Sequence, residues 1–220
     1  MSNIKFQIVG NAEEGIDSAL DFLYKNCDKD TALFLSGGKT PKPLYETLAK
    51  EKKLEIGAVA MVDDRYSLHQ QYSNEFMIKE SGLIKFLESK NIAFYSILKL
   101  GLNRVQSARE YESDVRFLFE HFKKKIAILG IGPDGHIASI TPTLNDLNHL
   151  SDQLVTDVKN FPAEIRERIT LTLSAISKMD LILVLAFGTE KKKGIKIALK
   201  TFFSGKEMSK KTLLITDQKI

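Results

Sequence analysis

The chain has 220 residues and a single cysteine, Cys27, which excludes an intramolecular disulfide and any metal site built from several thiolates. It also lacks an excess of charge of one sign. Its 32 basic and 28 acidic residues leave a net charge of +4, too even a balance to announce a nucleic-acid partner. Nowhere does it carry the ~18 consecutive apolar residues of a membrane span, so no membrane association is expected. The opening Met1-Ser-Asn-Ile-Lys-Phe6 lacks the basic-then-apolar order of a secretory signal, and a cytoplasmic protein is expected. There is no internal repeat, low-complexity tract or Pro/Gly/Ser-rich linker, so residues 1–220 are expected to form a single domain. Phenylalanines and tyrosines are scattered with no stacking platform for nucleic acid, and no His/Cys/Asp spacing suggests a metal site. Oligomeric state is left open.

What is present is an alternation. Segments 5–9, 31–35, 58–62, 125–129, 181–187 and 212–216 read as strands, the apolar 125–129 as a buried one. Between them, 12–26, 41–50, 73–81, 107–122, 169–177 and 190–200 read as helices. Such alternation predicts an α/β domain: a mainly parallel open sheet with helices on both faces, Rossmann-like. Four polar clusters fall just past strand ends: Ser36-Gly37-Gly38, Asp63-Asp64-Arg65, Asp134-Gly-His136 and Gly188-Thr-Glu-Lys191. Open parallel sheets bind ligands outside the carboxyl ends of their strands, so the four clusters are expected to share one cleft.

The most informative of them is Gly130-Ile-Gly-Pro-Asp-Gly-His136-Ile-Ala-Ser139. Glycines allow close backbone approach to a ligand, and His136 is the side chain best suited to moving protons near neutral pH. Ser36-Gly-Gly-Lys-Thr-Pro41 runs from a strand into a helix, with Pro41 suited to the first helical position and Thr40 to the N-cap. A helix start with its free N–H groups favours an anion, Gly37 and Gly38 allow its approach, and Lys39 adds charge. The Walker spacing is absent. Lys191 sits in a first helical turn, where the helix dipole disfavours a cation, so it calls for a partner such as a bound anion. Arg166 and Arg168 precede Ile169-Thr-Leu-Thr172, and which of them faces the cleft is left open. His69, His121 and His149 lack glycine context and read as exposed or structural, and Cys27 as a small semi-buried residue.

Taken in order, Ser36-Gly-Gly-Lys-Thr-Pro41, Asp63-Asp-Arg65, Ser73-Asn74, the 130–139 segment, Arg168-Ile-Thr-Leu-Thr172 and Gly188-Thr-Glu-Lys191 resemble the 6-phosphogluconolactonase family. That family lies within a larger group that includes glucosamine-6-phosphate deaminases. Lactonases typically carry Asp-Glu-Arg at the second piece and deaminases Asp-Glu-Tyr, so Arg65 points to a lactonase. Asp64 in place of Glu and Ile140-Thr141 in place of Leu-Phe depart from the pattern. The resemblance implies hydrolysis of a phosphorylated lactone, 6-phosphogluconolactone, without metal or organic cofactor. It implies His136 as the base that activates water, with Asp134 orienting the imidazole or supporting its loop. Arg65 would stabilise the oxyanion or bind substrate oxygens. Ser36, Gly37, Gly38, Lys39, Thr40, Asp63, Asn74, Arg168 and Lys191 would bind substrate, the phosphate lying against the Gly37/Gly38 backbone. Two rival functions remain. In an amino-sugar-phosphate isomerase or deaminase, Asp63 would abstract the proton. The other is a non-catalytic sugar-phosphate-sensing module.

Overall fold

The structure, a computed structural model, describes residues 3–67, 69–143 and 152–220; His149 lies outside them. The chain runs β1 (Lys5–Ile8), α1 (Ala12–Asn26), β2 (Thr31–Leu35), α2 (Lys42–Glu51), β3 (Ala58–Met61), β4 (Asp63–Arg65), α3 (Asn74–Glu80), α4 (Leu83–Ser89) and β5 (Ala93–Tyr95). It continues through α5 (Arg104–His121), β6 (Lys124–Gly130), β7 (Val155–Val158), β8 (Arg168–Leu171), α6 (Leu173–Ser177), β9 (Leu181–Ala186), α7 (Lys191–Thr201), α8 (Lys206–Lys211) and β10 (Thr212–Thr216). Helix starts follow local chemistry. The Asn11 side chain accepts from Glu14 N at 3.0 Å, and Asn103 and Gln106 form a capping box at α5.

Seven strands form one sheet in the order β1-β10-β9-β6-β2-β3-β5, and every pairing in it is parallel. From β1 the chain advances through β2 and β3 to β5, then returns through β6 and β9 to β10. Right-handed crossovers therefore put α1–α4 on one face and α5–α8 on the other. The α2 helix accordingly packs against both α1 and α4. Burial on both faces explains why β2, with all five residues buried, reads as one continuous apolar run. The direction reverses between the neighbours β2 and β6, and a crevice opens past their carboxyl ends.

A second sheet, of three strands in the order β4-β8-β7, is antiparallel. Asp63-Asp64-Arg65 follows the main-sheet strand β3 after Val62, as expected, and itself forms β4 of this second sheet. The structure corrects the sequence reading at 169–177, where the expected helix is instead strand β8 followed by the short α6. Ile169 and Thr170 are β-branched, and partners on both sides favour the extended chain. One residue joins the sheets: Val62 N donates to Leu35 O of the main sheet (2.8 Å), and Val62 O accepts from Leu171 N of the second (2.8 Å). Just before it, the Tyr111 hydroxyl, fully buried on α5, exchanges hydrogen bonds with both Met61 backbone groups.

Candidate active site

A cavity of about 430 Å³ lies past the carboxyl ends of β2, β6 and β9, walled on its far side by the second sheet. Ser36, Gly37, Gly38, Lys39, Thr40, Asp63, Arg65, Asn74, His136, Arg168 and Lys191 all line it. Asp134 does not line it, but it touches a residue that does.

His136 and Asp134 sit on the turn after β6. The imidazole Nδ1 lies 2.6 Å from Asp134 Oδ1, which also accepts from His136 N at 3.3 Å. Burial alone would push the Asp134 carboxyl up, but the His136 charge and hydrogen bonds together hold it below the usual carboxylate value. The pair fits only because residue 132 is glycine: a Cβ there would lie 2.1 Å from His136 Nδ1 and 2.6 Å from Asp134 Oδ1. Gly135 completes the turn at φ +88°. Beyond it, Ile137 and Ile140 exchange backbone hydrogen bonds, leaving Ala138 in the left-handed region at φ 52°, against the cavity.

On the β2 side, Gly38 has φ +97° and no neighbour within 4 Å of where a Cβ would stand, so its backbone is open to the cavity. Gly37 is wedged against Asn74: a Cβ there would meet Asn74 Oδ1 at 2.0 Å. Asn74 Nδ2 donates to Asp63 O at 2.9 Å, whereas its buried Oδ1 and the buried Ser36 Oγ have no hydrogen-bond partner among the described residues. The expected Thr40 cap is not formed. Pro41, already at helical dihedrals (φ −83°, ψ −9°), occupies the N-cap of α2, with no side-chain hydrogen bond there.

The second sheet supplies the guanidinium groups. Arg65 and Arg168 face each other across β4 and β8. Arg65 Nη1 donates to Tyr72 O at 3.1 Å. Arg168 is only 7% exposed; its Nε donates to Ile165 O at 2.8 Å. Burial first, then the neighbouring Arg65, push Arg168 down to about 10, so it is still cationic at neutral pH. Arg166 is exposed, 3.4 Å from Asn160 Oδ1, and is not part of the cavity wall. Among the described residues no carboxylate forms an ion pair with Arg65, Arg168, Lys39 or Lys191. Asp64 cannot serve Arg65's guanidinium, because its fully buried carboxylate accepts from Arg65 N, Ser73 Oγ, Asn74 N and Glu75 N. Asp63 accepts from Ser139 Oγ at 2.7 Å, tying the His136 loop to the second sheet.

Lys191, the first residue of α7, donates from Nζ to Ile131 O at 2.7 Å, so its disfavoured position has a carbonyl partner with no anion required. Burial pushes its ammonium below the ordinary lysine value. Sequence reasoning missed Phe161, on the loop between β7 and β8. Its ring is perpendicular to His136 at 5.2 Å between centroids, and the Arg168 guanidinium carbon lies 4.6 Å from the Phe161 ring centroid. The only signal was an aromatic beside a proline in a polar stretch, Asn160-Phe-Pro162. Of the other histidines, His69 and His121 are exposed, as expected. Among the described residues no cluster of His, Cys, Asp or Glu suits a metal ion, and no helix is long and apolar enough to cross a membrane.

A basic cavity with an oriented imidazole finds its parallels among sugar-phosphate enzymes. The chain is 33% identical over 181 residues to a 6-phosphogluconolactonase of Thermotoga maritima, covering 81% of this chain and 78% of that one. It is 29% identical over 202 residues to the Caulobacter vibrioides 6-phosphogluconolactonase, covering 86% and 85%. The crystal structure of the Thermotoga maritima enzyme superposes with a TM-score of 0.73 at 26% identity, over 97% of this chain and 98% of that one. A Plasmodium vivax 6-phosphogluconolactonase shares the fold, with a TM-score of 0.78 at 21% identity over 98% and 90%. The family of glucosamine-6-phosphate isomerases and 6-phosphogluconolactonases matches residues 8–211, and this chain belongs to it.

Proposed function

We propose that this protein hydrolyses 6-phosphogluconolactone to 6-phosphogluconate, as the names of its relatives say of them. The observation that carries the reading is the convergence of the Asp134-held His136 with two ion-pair-free arginines in one cavity. With Nδ1 engaged by Asp134, the other imidazole nitrogen is the one left to take a proton from water. The water oxygen adds to the lactone carbonyl carbon, and the carbonyl oxygen becomes an oxyanion that Arg65 stabilises. When the tetrahedral intermediate collapses, the ring C–O bond breaks and the imidazolium returns its proton to the departing ring oxygen. The sugar phosphate is the remote handle, held by the open Gly37/Gly38 backbone with charge from Lys191 and Arg168. A phosphorylated substrate does not cross a bilayer unaided, which suits a cytoplasmic reaction.

The isomerase or deaminase reading has no observation in its favour. Asp63, its proton acceptor, is already engaged by Ser139, and Arg65 stands where that branch has tyrosine. The deciding experiment is a lactonase assay on purified protein, corrected for spontaneous hydrolysis, run beside glucosamine 6-phosphate. Lactone turnover without release of ammonia is expected. Ammonia release at a comparable rate reverses the reading.

A further inference from the structure

Phe161 is 4% exposed, yet its ring is not part of the contiguous hydrophobic core that takes in most other buried apolar residues. Its ring stands instead against Arg168 and His136, two residues of the cavity wall. Its backbone is fixed as well. Phe161 N donates to Arg166 O at 2.9 Å and Ala163 N to Phe161 O at 2.8 Å, while Arg168 reaches back to Ile165 O on the same loop. Ring, loop and guanidinium thus form one unit.

That unit meets a specific need. A single hydrogen bond to Asp134 fixes where Nδ1 sits but leaves the imidazole able to tilt about that bond. The Gly132 backbone bounds the ring on one side, where a Cβ would lie 2.1 Å from Nδ1, and Phe161 stands perpendicular to it. A perpendicular aromatic neighbour favours one ring plane, because edge and face of the two π systems carry opposite partial charge. The same ring holds Arg168 through its π face, restricting a cation that has no carboxylate partner among the described residues.

We propose that Phe161 is a positioning residue that couples the two halves of the site, setting the plane of the His136 base and the place of the Arg168 cation. The proposal rests on the lactonase reading for its kinetic arm only. The test compares the Phe161→Leu and Phe161→Tyr variants by steady-state kinetics and by calorimetric binding of 6-phosphogluconate. Leu keeps the apolar character without the ring, and Tyr keeps the ring. Phe161→Leu is expected to lower kcat about tenfold and weaken product binding about tenfold, with Phe161→Tyr within about threefold of the parent in both. In an Arg168→Met background, Phe161→Leu is expected to add no further loss of affinity, because the contact it breaks is already gone.

Parent-like kcat and affinity in Phe161→Leu overturn the proposal. Equal losses in the Leu and Tyr variants also overturn it, since they make the residue a packing group. Should Phe161→Leu not fold, Phe161→Met carries the same comparison, and failure of both to fold identifies a structural ring and again overturns it. An inactive parent that still binds 6-phosphogluconate sinks the lactonase reading while leaving the binding arm to decide on Phe161.

Discussion

From the carboxyl ends of β2, β6 and β9 the cavity receives mainly backbone and turn geometry: the open Gly38, the Gly132–Gly135 turn, and a histidine whose ring is set by its own neighbour Asp134. From β4 and β8 it receives side-chain charge, two facing arginines and the buried acids that brace them. The parallel sheet aims every strand end in one direction, so loops converge there by topology alone. The antiparallel sheet instead puts chosen side chains opposite one another across a ladder, which places two cations at paired positions beside one ligand. The contrast implies a division by kind of group: the proton-transferring imidazole stands on the main-sheet wall and the guanidinium cations stand on the other.

The hardest test of that division is His136→Asn. It removes the base while keeping size, and kcat is expected to fall by about two to four orders of magnitude with 6-phosphogluconate affinity nearly unchanged. A large loss of affinity in a folded variant breaks the division. Arg65→Met and Arg168→Met probe the other wall. Arg65→Met is expected to lower kcat/KM by about two orders of magnitude, and Arg168→Met to raise KM about tenfold with a smaller change in kcat. A pure kcat effect in Arg168→Met moves that residue to the chemical step. Gly132→Ala is expected to lower kcat about tenfold, because its methyl group displaces the imidazole without touching either arginine. An unchanged KM in that variant sharpens the comparison.

The smallest effect is read from pH. On the proposed reading Lys191 supplies its charge to the phosphate, and burial lowers its pKa below the ordinary 10.5. Affinity for 6-phosphogluconate is therefore expected to fall as pH rises through that lowered value, the charged form being the one below it. In Lys191→Arg the fall shifts to higher pH, measured by calorimetry across the alkaline range. An identical profile in the two proteins removes Lys191 from the phosphate site.

The same contrast explains what was legible in the sequence. Main-sheet strands announce themselves as apolar runs such as Thr31–Leu35 and Leu181–Ala186, and the glycine-containing turns follow closely from their ends. Strands β4, β7 and β8 are of three or four residues and carry Asp63, Asp64, Arg65, Asp157 and Arg168. Polar side chains on so short a ladder leave no periodic signal, and the pairing partners lie about a hundred residues apart in the chain. Thus Arg65 and Arg168 were named as candidates, while their direct opposition was not foreseen. Phe161 was invisible because its role depends on two partners from different segments. Asp64, which stands where the family pattern has Glu, shows its part only in the fold: four donors to its carboxylate make it a brace for α3 and for the backbone of Arg65.

The facing arginines have a thermodynamic consequence for the empty protein. Two like charges held close by a backbone ladder, one of them nearly buried, repel each other in the folded state and separate freely in the unfolded chain. The ligand-free fold is therefore less stable than its packing alone would make it, and a bound anion relieves the strain. Any phosphorylated ligand should raise the melting temperature both by mass action, RT ln(1 + [L]/Kd), and by neutralising that repulsion. In this sense a sugar phosphate, or inorganic phosphate at higher concentration, is a folding cosolute of the protein as well as its ligand. Replacing one arginine with an uncharged residue should raise the melting temperature of the empty form while abolishing most of the ligand-induced rise.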